Sequence, residues 1–301
     1  MRRLVAVAVG AVIALSGCSS VSGSDRPQVV VTTNILGDVV TEVLGDQADV
    51  TVLMPPDSDP HSSEISAKQA AMMGEADLIV SNGLGLEEGL QQHLDRAEDA
   101  GAPMLVAGEH VEGVPYASGD AEGTDDPHFW TDPATMVDVV GALEKRAADI
   151  DGIDAARLTR DAAAYRGRLQ RLDAEMTTAF AAIPAERRAL VTNHHVFGYL
   201  ADRFDFRVVG AVIPGGTTLA APSAADLRDL SEAISTAGVP TIFAESSQPD
   251  RLVRVLADEA RIDVDVVELF TESLTTKGGG AETYLDMMRA NTSRIAAGLA
   301  P

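Results

Sequence analysis

The chain of 301 residues has one cysteine, few aromatic residues and half as many basic as acidic side chains. Each shortage excludes something. A sole cysteine, Cys18, leaves no partner for an intramolecular disulfide, so stability must come from the core. Aromatics make up 4% of the chain, which leaves Val, Leu, Ile and Ala to fill that core. Lys and Arg number 23 against 46 Asp and Glu, giving a formal net charge of −23. Nucleic acid is thereby excluded as a partner, because phosphate binding needs concentrated cationic side chains. The six histidines are scattered, with no H-E-x-x-H, no H-x₃₋₅-H and no Cys pair, so no local motif announces a metal or a catalyst.

What is present begins with a leader. "MRRLVAVAVGAVIALSGC" has two arginines and then an apolar run from Leu4 to Leu15. That run falls short of the roughly 20 residues that span a bilayer and has the layout of a secretory signal. It ends in Leu15-Ser16-Gly17-Cys18, which resembles a bacterial lipobox, in which the cysteine is lipidated and becomes the first mature residue. A plain signal peptide with a chance cysteine is the rival reading, and the position of the sole cysteine argues against it. Residues 1–17 then form the signal peptide and residues 18–27 a polar, lipid-anchored tether.

Beyond the tether, short β-branched runs alternate with helical patterns. "QVVVTT", "ADVTVLMP", "DLIVSNG" and "PMLVAG" read as strands, with helices between them. Residues 111–127, rich in Gly, Pro, Ser and acids, read as a loop, followed by a helix with Pro133 in its first turn. Leu158, Tyr165, Leu169, Leu172, Met176, Phe180 and Ile183 then line one face of a long helix over 154–183. Alternation resumes with "RALVTN", "FRVVGAVI", "PTIFAES" and "VDVVEL". The expected fold is α/β: two lobes with mainly parallel sheets, 28–153 and 184–301, joined by that single helix. A helix of this length is stiff, so the lobes are expected to move little against each other.

Four polar side chains fall just past predicted strands or loops: His61, His128, His194 and Glu272. Ligands of open α/β sheets gather beyond the carboxyl ends of strands, and two of these residues come from each half, which points to the cleft between lobes. Three imidazoles and a carboxylate are a familiar donor set for Zn²⁺. His61 and His128 each follow Asp-Pro, and proline stiffens such a turn, so a ligand mounted there loses little entropy. Each Asp-Pro-His also reads as an ordinary turn. Asp59, Asp126 and Asp132 are near enough in sequence to accept a second imidazole N–H. His195 is a neighbour of His194 rather than a ligand, Glu245 is either an outer acceptor or a surface acid, and His93 and His110 read as surface residues.

These segments resemble one family. "VVVTTNILGDVV", "PPDSDPHSSE", "ADLIVSNGLGLEEGL", "DDPHFWTDP", "NHHVFGYLADRF", "TIFAESSQPDRL" and "LFTESL", with "TYLDMMRAN" after it, are similar, in order, to the metal-binding solute-binding proteins of bacterial zinc and manganese ABC transporters. The resemblance implies an extracytoplasmic, lipid-anchored, monomeric carrier rather than an enzyme, which captures a metal ion and delivers it to an ABC permease. It implies His61, His128 and His194 as ligands. The fourth position, usually Asp in the family, is Glu272 here, one methylene longer. Manganese-type members tend to carry Glu at the third position, where this chain has His194, so Zn²⁺ is expected, with Mn²⁺ or Fe²⁺ as the alternative. The family's zinc members often have a His-rich acidic loop. Here Asp120, Glu122, Asp125 and Asp126 remain without a His before His128, which leaves metal gathering and plain solvation both open. A zinc hydrolase with Glu245 as base and a surface adhesion protein are the rival classes. No catalytic motif supports the first.

Overall fold

A computed structural model of the chain describes residues 26–116, 121–213, 215–247, 253 and 264–301. The expected signal peptide, Cys18 and the tether before Arg26 lie outside the described residues.

Each lobe is built on a four-stranded parallel sheet. β1 (Gln28–Val31), β2 (Asp49–Val52), β3 (Leu78–Ser81) and β4 (Met104–Val106) pair in the order β2-β1-β3-β4. β5 (Ala189–Thr192), β6 (Arg207–Ala211), β7 (Thr241–Glu245) and β8 (Asp265–Leu269) pair in the order β6-β5-β7-β8. One strand order is therefore used twice. The central strands β1 and β3 are near-continuous apolar runs, as expected where helices cover both faces of a parallel sheet.

Helices α1 (Asn34–Leu44), α2 (Ala67–Gly74), α3 (Gln91–Asp99) and α4 (Pro133–Ala147) serve the first sheet. Between the lobes runs α5 (Ala155–Ala181), 27 residues long, or about 40 Å at ~1.5 Å per residue. Asp154 caps its start by accepting from the backbone N–H groups of Ala156 and Arg157. Its buried face is the expected stripe with Ala162 added, while Ile183 falls just past the end. Helices α6 (Gly198–Phe204), α7 (Ala224–Ala237) and α8 (Tyr284–Gly298) complete the second lobe. α5 packs against α1 and α4 of one lobe and α8 of the other. One apolar core thus runs from Val29 and Val31 to Leu190, Phe243 and Leu269. Parting the lobes would expose part of that core, which is costly in proportion to the area wetted.

Two local expectations change. Residues 111–127 are more than a loop: Pro115 and Asp125 form an antiparallel bridge. Tyr116 N–H donates to Thr124 O and Asp126 N–H to Val114 O, both at 2.9 Å, so residues 114–116 and 124–126 pair as an antiparallel arm. The helix expected between "DLIVSNG" and "PMLVAG" begins only at Gln91. Glu87 is drawn inward instead, accepting from Thr32 Oγ1 at 2.7 Å and from the N–H groups of Asn82 and Gly83 at 2.6 and 3.0 Å.

Candidate metal centre

The two Asp-Pro-His turns have the same local chemistry. Asp59 Oδ1 accepts the backbone N–H of His61, and Asp126 Oδ1 that of His128, each at 2.9 Å. An aspartate that bonds the backbone two residues on closes a tight turn, and proline between them removes one soft dihedral. In the second lobe His194 stands two residues past β5, with Thr192 Oγ1 donating to its carbonyl at 2.6 Å. Glu272 follows β8 in a segment tied to the first lobe. Trp130 Nε1 donates to Thr271 O at 2.8 Å, Asn34 Nδ2 to Ser273 Oγ at 2.7 Å, and Leu274 N–H to Asn34 Oδ1 at 2.9 Å.

These elements bring the four expected side chains together, with donor atoms all within 4.8 Å of one another. Their residues are at most 1% exposed. His128 Nε2 lies 3.4 Å from the Nε2 atoms of both His61 and His194. Glu272 Oε1 is 2.9 Å from His128 Nε2 and 3.3 Å from His194 Nε2, while Oε2 is 3.6 Å from His61 Nε2. A tetrahedron with metal–nitrogen bonds of about 2.0–2.1 Å has edges of about 3.3–3.4 Å, which the His61–His128, His128–His194 and His194–Glu272 separations match, while the His128–Glu272 contact is shorter and the His61–Glu272 contact longer. Neither Glu272 oxygen has a hydrogen bond in acceptable geometry, although both are buried. The buried charge of Glu272 is offset only while the facing imidazoles carry protons, and a cation among the four donors would take over that role.

The outer nitrogens face carboxylates. His128 Nδ1 lies 2.6 Å from Asp126 Oδ1, and His194 Nδ1 lies 3.0 Å from Glu245 Oε2. Glu245 also accepts from Asn193 Nδ2 at 2.8 Å and from Thr271 Oγ1 at 3.0 Å. A carboxylate at Nδ1 fixes the proton there and turns the Nε2 lone pair inward, which is the tautomer a metal requires. Burial disfavours charge on His128 and His194. Asp126 with Glu272, and Glu245 with Glu272, outweigh it and push both pKa values up, that of His194 strongly. Burial would raise Glu272, but His194, His61 and His128 hold it well below the usual carboxylate range.

Asp126 and Glu245 therefore stand behind the His128 and His194 rings, at Nδ1. Asp59 and Asp132 do not stand behind one. Besides the His61 N–H, Asp59 accepts from Ser62 Oγ and Thr218 Oγ1, and Asp132 accepts the N–H of Ala134 at the start of α4. Burial raises the Asp132 pKa to about 6. His195 turns away from the cluster toward Tyr116, ring centroids 6.2 Å apart, and burial and His194 lower its pKa. His93 is half-buried on α3 and His110 is exposed; neither belongs to the cluster. Two contributors escaped the sequence reading. Glu88 Oε1 lies 3.6 Å from His61 Nδ1, and the Tyr116 hydroxyl, carried in by the antiparallel arm, lies 3.4 Å from His128 Nδ1. The doubled acid in "GLEEGL" was the one visible hint of Glu88; nothing in the sequence singled out Tyr116.

The zinc-binding protein TroA of Treponema pallidum is 31% identical over 94% of this chain and 92% of its own length. The solved structure of periplasmic zinc-binding TroA superposes with a TM-score of 0.82 at 30% identity, covering 92% of this chain and 100% of that one. The manganese ABC transporter substrate-binding lipoprotein PsaA of Streptococcus pneumoniae is 28% identical over 98% of this chain and 96% of its own. Residues 29–298 match the family described as zinc-uptake complex component A, periplasmic, and the chain belongs to that family of metal-binding substrate-binding proteins of ABC importers.

Proposed function

We propose that this protein captures Zn²⁺ outside the cytoplasm and delivers it to the permease of an ABC importer, tethered to the membrane by a lipid on Cys18. His61, His128 and His194 bind through Nε2, and Glu272 supplies the anionic fourth ligand. One observation carries this reading: three buried Nε2 atoms and a buried carboxylate face one another, with His128 Nε2 3.4 Å from both other Nε2 atoms and 2.9 Å from Glu272 Oε1, the donor set and scale of a zinc shell. A hydrolytic zinc site keeps a position for water. Here Glu272 faces that position, and Glu245 is engaged by His194, Asn193 and Thr271. Neither group is free to act as a base.

A manganese carrier is the second reading. Both Glu272 oxygens face imidazole nitrogens, and two-oxygen coordination would raise the ligand number toward what Mn²⁺ accepts. Competition titration of the purified protein with Zn²⁺ and Mn²⁺, beside a His61→Ala, His128→Ala double variant, tests both. Zinc binding in a one-to-one ratio, lost in the double variant, is expected. Equal zinc affinity in the two proteins would sink the assignment, and tighter manganese binding would favour the second reading.

A further inference from the structure

The segment that carries His61 is gripped by the second lobe at two places. On one side Asp57 N–H donates to Leu274 O at 3.0 Å and Ser58 N–H to Ser273 Oγ at 3.2 Å, next to Glu272. On the other, the connection after β6 reaches back across the cleft, and Thr218 Oγ1 donates to Asp59 Oδ2 at 2.6 Å. Asp59 is the residue whose Oδ1 accepts the His61 N–H. One carboxylate thus closes the turn under His61 and takes a hydroxyl from the opposite lobe. The two grips differ in kind. The first uses backbone donors beside the buried Asn34–Ser273 and Asn34–Leu274 bonds. The second hangs on one half-buried side chain, in a connection that turns at Gly215, whose φ of 100° suits glycine. Two residues before Thr218, Gly216 lies so close to Tyr116 that a Cβ there would collide with its ring.

Resting on the zinc-carrier reading, we propose that Thr218 is a positioning residue for release: its hydroxyl latches the His61 turn to the second lobe while the ion is bound, and the latch must break before His61 leaves the ion. A hydrogen bond to a carboxylate is stronger than one between neutral groups. It also counts for more in the loaded protein, because an ion held by both lobes already keeps hydroxyl and carboxylate in register. A contact that favours the loaded state raises affinity by that difference alone. The latch therefore slows departure of the ion and leaves its arrival nearly unchanged. His61 is the ligand where this matters most, since its Nδ1 faces the exposed Glu88 at 3.6 Å, whereas Asp126 and Glu245 back His128 and His194 from within.

Zn²⁺ association and chelator-driven dissociation, followed by stopped flow on the purified protein, test this in Thr218→Val and Thr218→Ser. Valine keeps the shape and loses the hydroxyl, and serine keeps the hydroxyl. Dissociation is expected to quicken about tenfold in Thr218→Val, with association within about twofold and Kd weakened in step. Thr218→Ser is expected to stay within about twofold of the unaltered protein in both rates. Unchanged dissociation in Thr218→Val would overturn the latch and leave the zinc reading intact. Equal acceleration in both variants would overturn it too, as would a rise of both rates together with Kd unmoved. Absence of zinc binding by the unaltered protein would remove the carrier reading itself.

Discussion

The two lobes share a strand order but hold their proposed ligands differently. In the first lobe His61 and His128 sit on Asp-Pro-His turns well past β2 and β4, shaped by local hydrogen bonds. In the second, His194 and Glu272 stand two and three residues past strand ends, braced from neighbouring strands and from the first lobe. A turn can aim a ligand with a few local residues, which is why the tripeptide is visible in the sequence. A strand-end ligand is aimed by distant partners and carries no local mark. The two turns also differ from each other. Asp126 holds both the backbone and the ring of its histidine, while Asp59 holds only the backbone and leaves the His61 ring to an exposed glutamate 3.6 Å away.

The largest effect is expected from losing a ligand from either lobe. Structural zinc sites are worth about 10–16 kcal/mol, or about 3 kcal/mol per ligand, so His128→Ala and His194→Ala should each lower zinc affinity by roughly 100-fold or more. Competition titration measures this. A loss confined to one lobe would break the claim that the centre spans the cleft.

Next come the residues behind the rings. Removing a carboxylate partner of a metal-bound histidine typically costs 10–100-fold in affinity. Asp126→Asn and Glu245→Gln should both fall in that range, with the fold intact by circular dichroism. Losses of less than about threefold in either would show that the backing carboxylate does not set the tautomer.

A smaller effect is expected in the pH dependence of the protein stripped with chelator. His128 and His194 have raised pKa values, so their charged forms stabilise the fold below the ordinary histidine value of 6.5. That contribution is lost as pH rises through the raised values. Glu272 has a lowered pKa, so its contribution is present above the ordinary 4.5 and lost as pH falls through the lowered value. For these three groups the stripped protein should be most stable between pH 4.5 and 6.5. Zinc should reverse the upper limb, because it replaces the protons and binds better as they leave. A thermal melting series with and without zinc that gave parallel curves from pH 5 to 9 would contradict this charge arrangement.

Much of the fold was legible because its signals are local. Val29 to Val31 read as a buried strand, and the stripe from Leu158 to Phe180 as one long helix, since each pattern depends only on nearby residues. His61 and His128 were legible for the same reason. Glu272 was legible only as an acid past a predicted strand, not in its aim, because its placement depends on Trp130 and Asn34, far away in sequence. Tyr116 stayed hidden because residues 111–127 have loop composition, and their antiparallel hydrogen bonds are made by backbone groups that composition does not reveal.

The smallest effect separates the two turns most finely. Glu88 is 44% exposed and 3.6 Å from His61 Nδ1, beyond hydrogen-bond range, so water competes for both groups and screens their attraction. His61 then depends on its turn and on the metal for its orientation, whereas His128 is set before metal arrives. Glu88→Gln should change zinc affinity by less than about threefold, against the larger loss expected for Asp126→Asn. Equal losses in the two variants would mean that zinc draws the His61 ring toward Glu88 into a full hydrogen bond. The first-lobe turns would then be equivalent once loaded, and their asymmetry would belong to the metal-free protein alone.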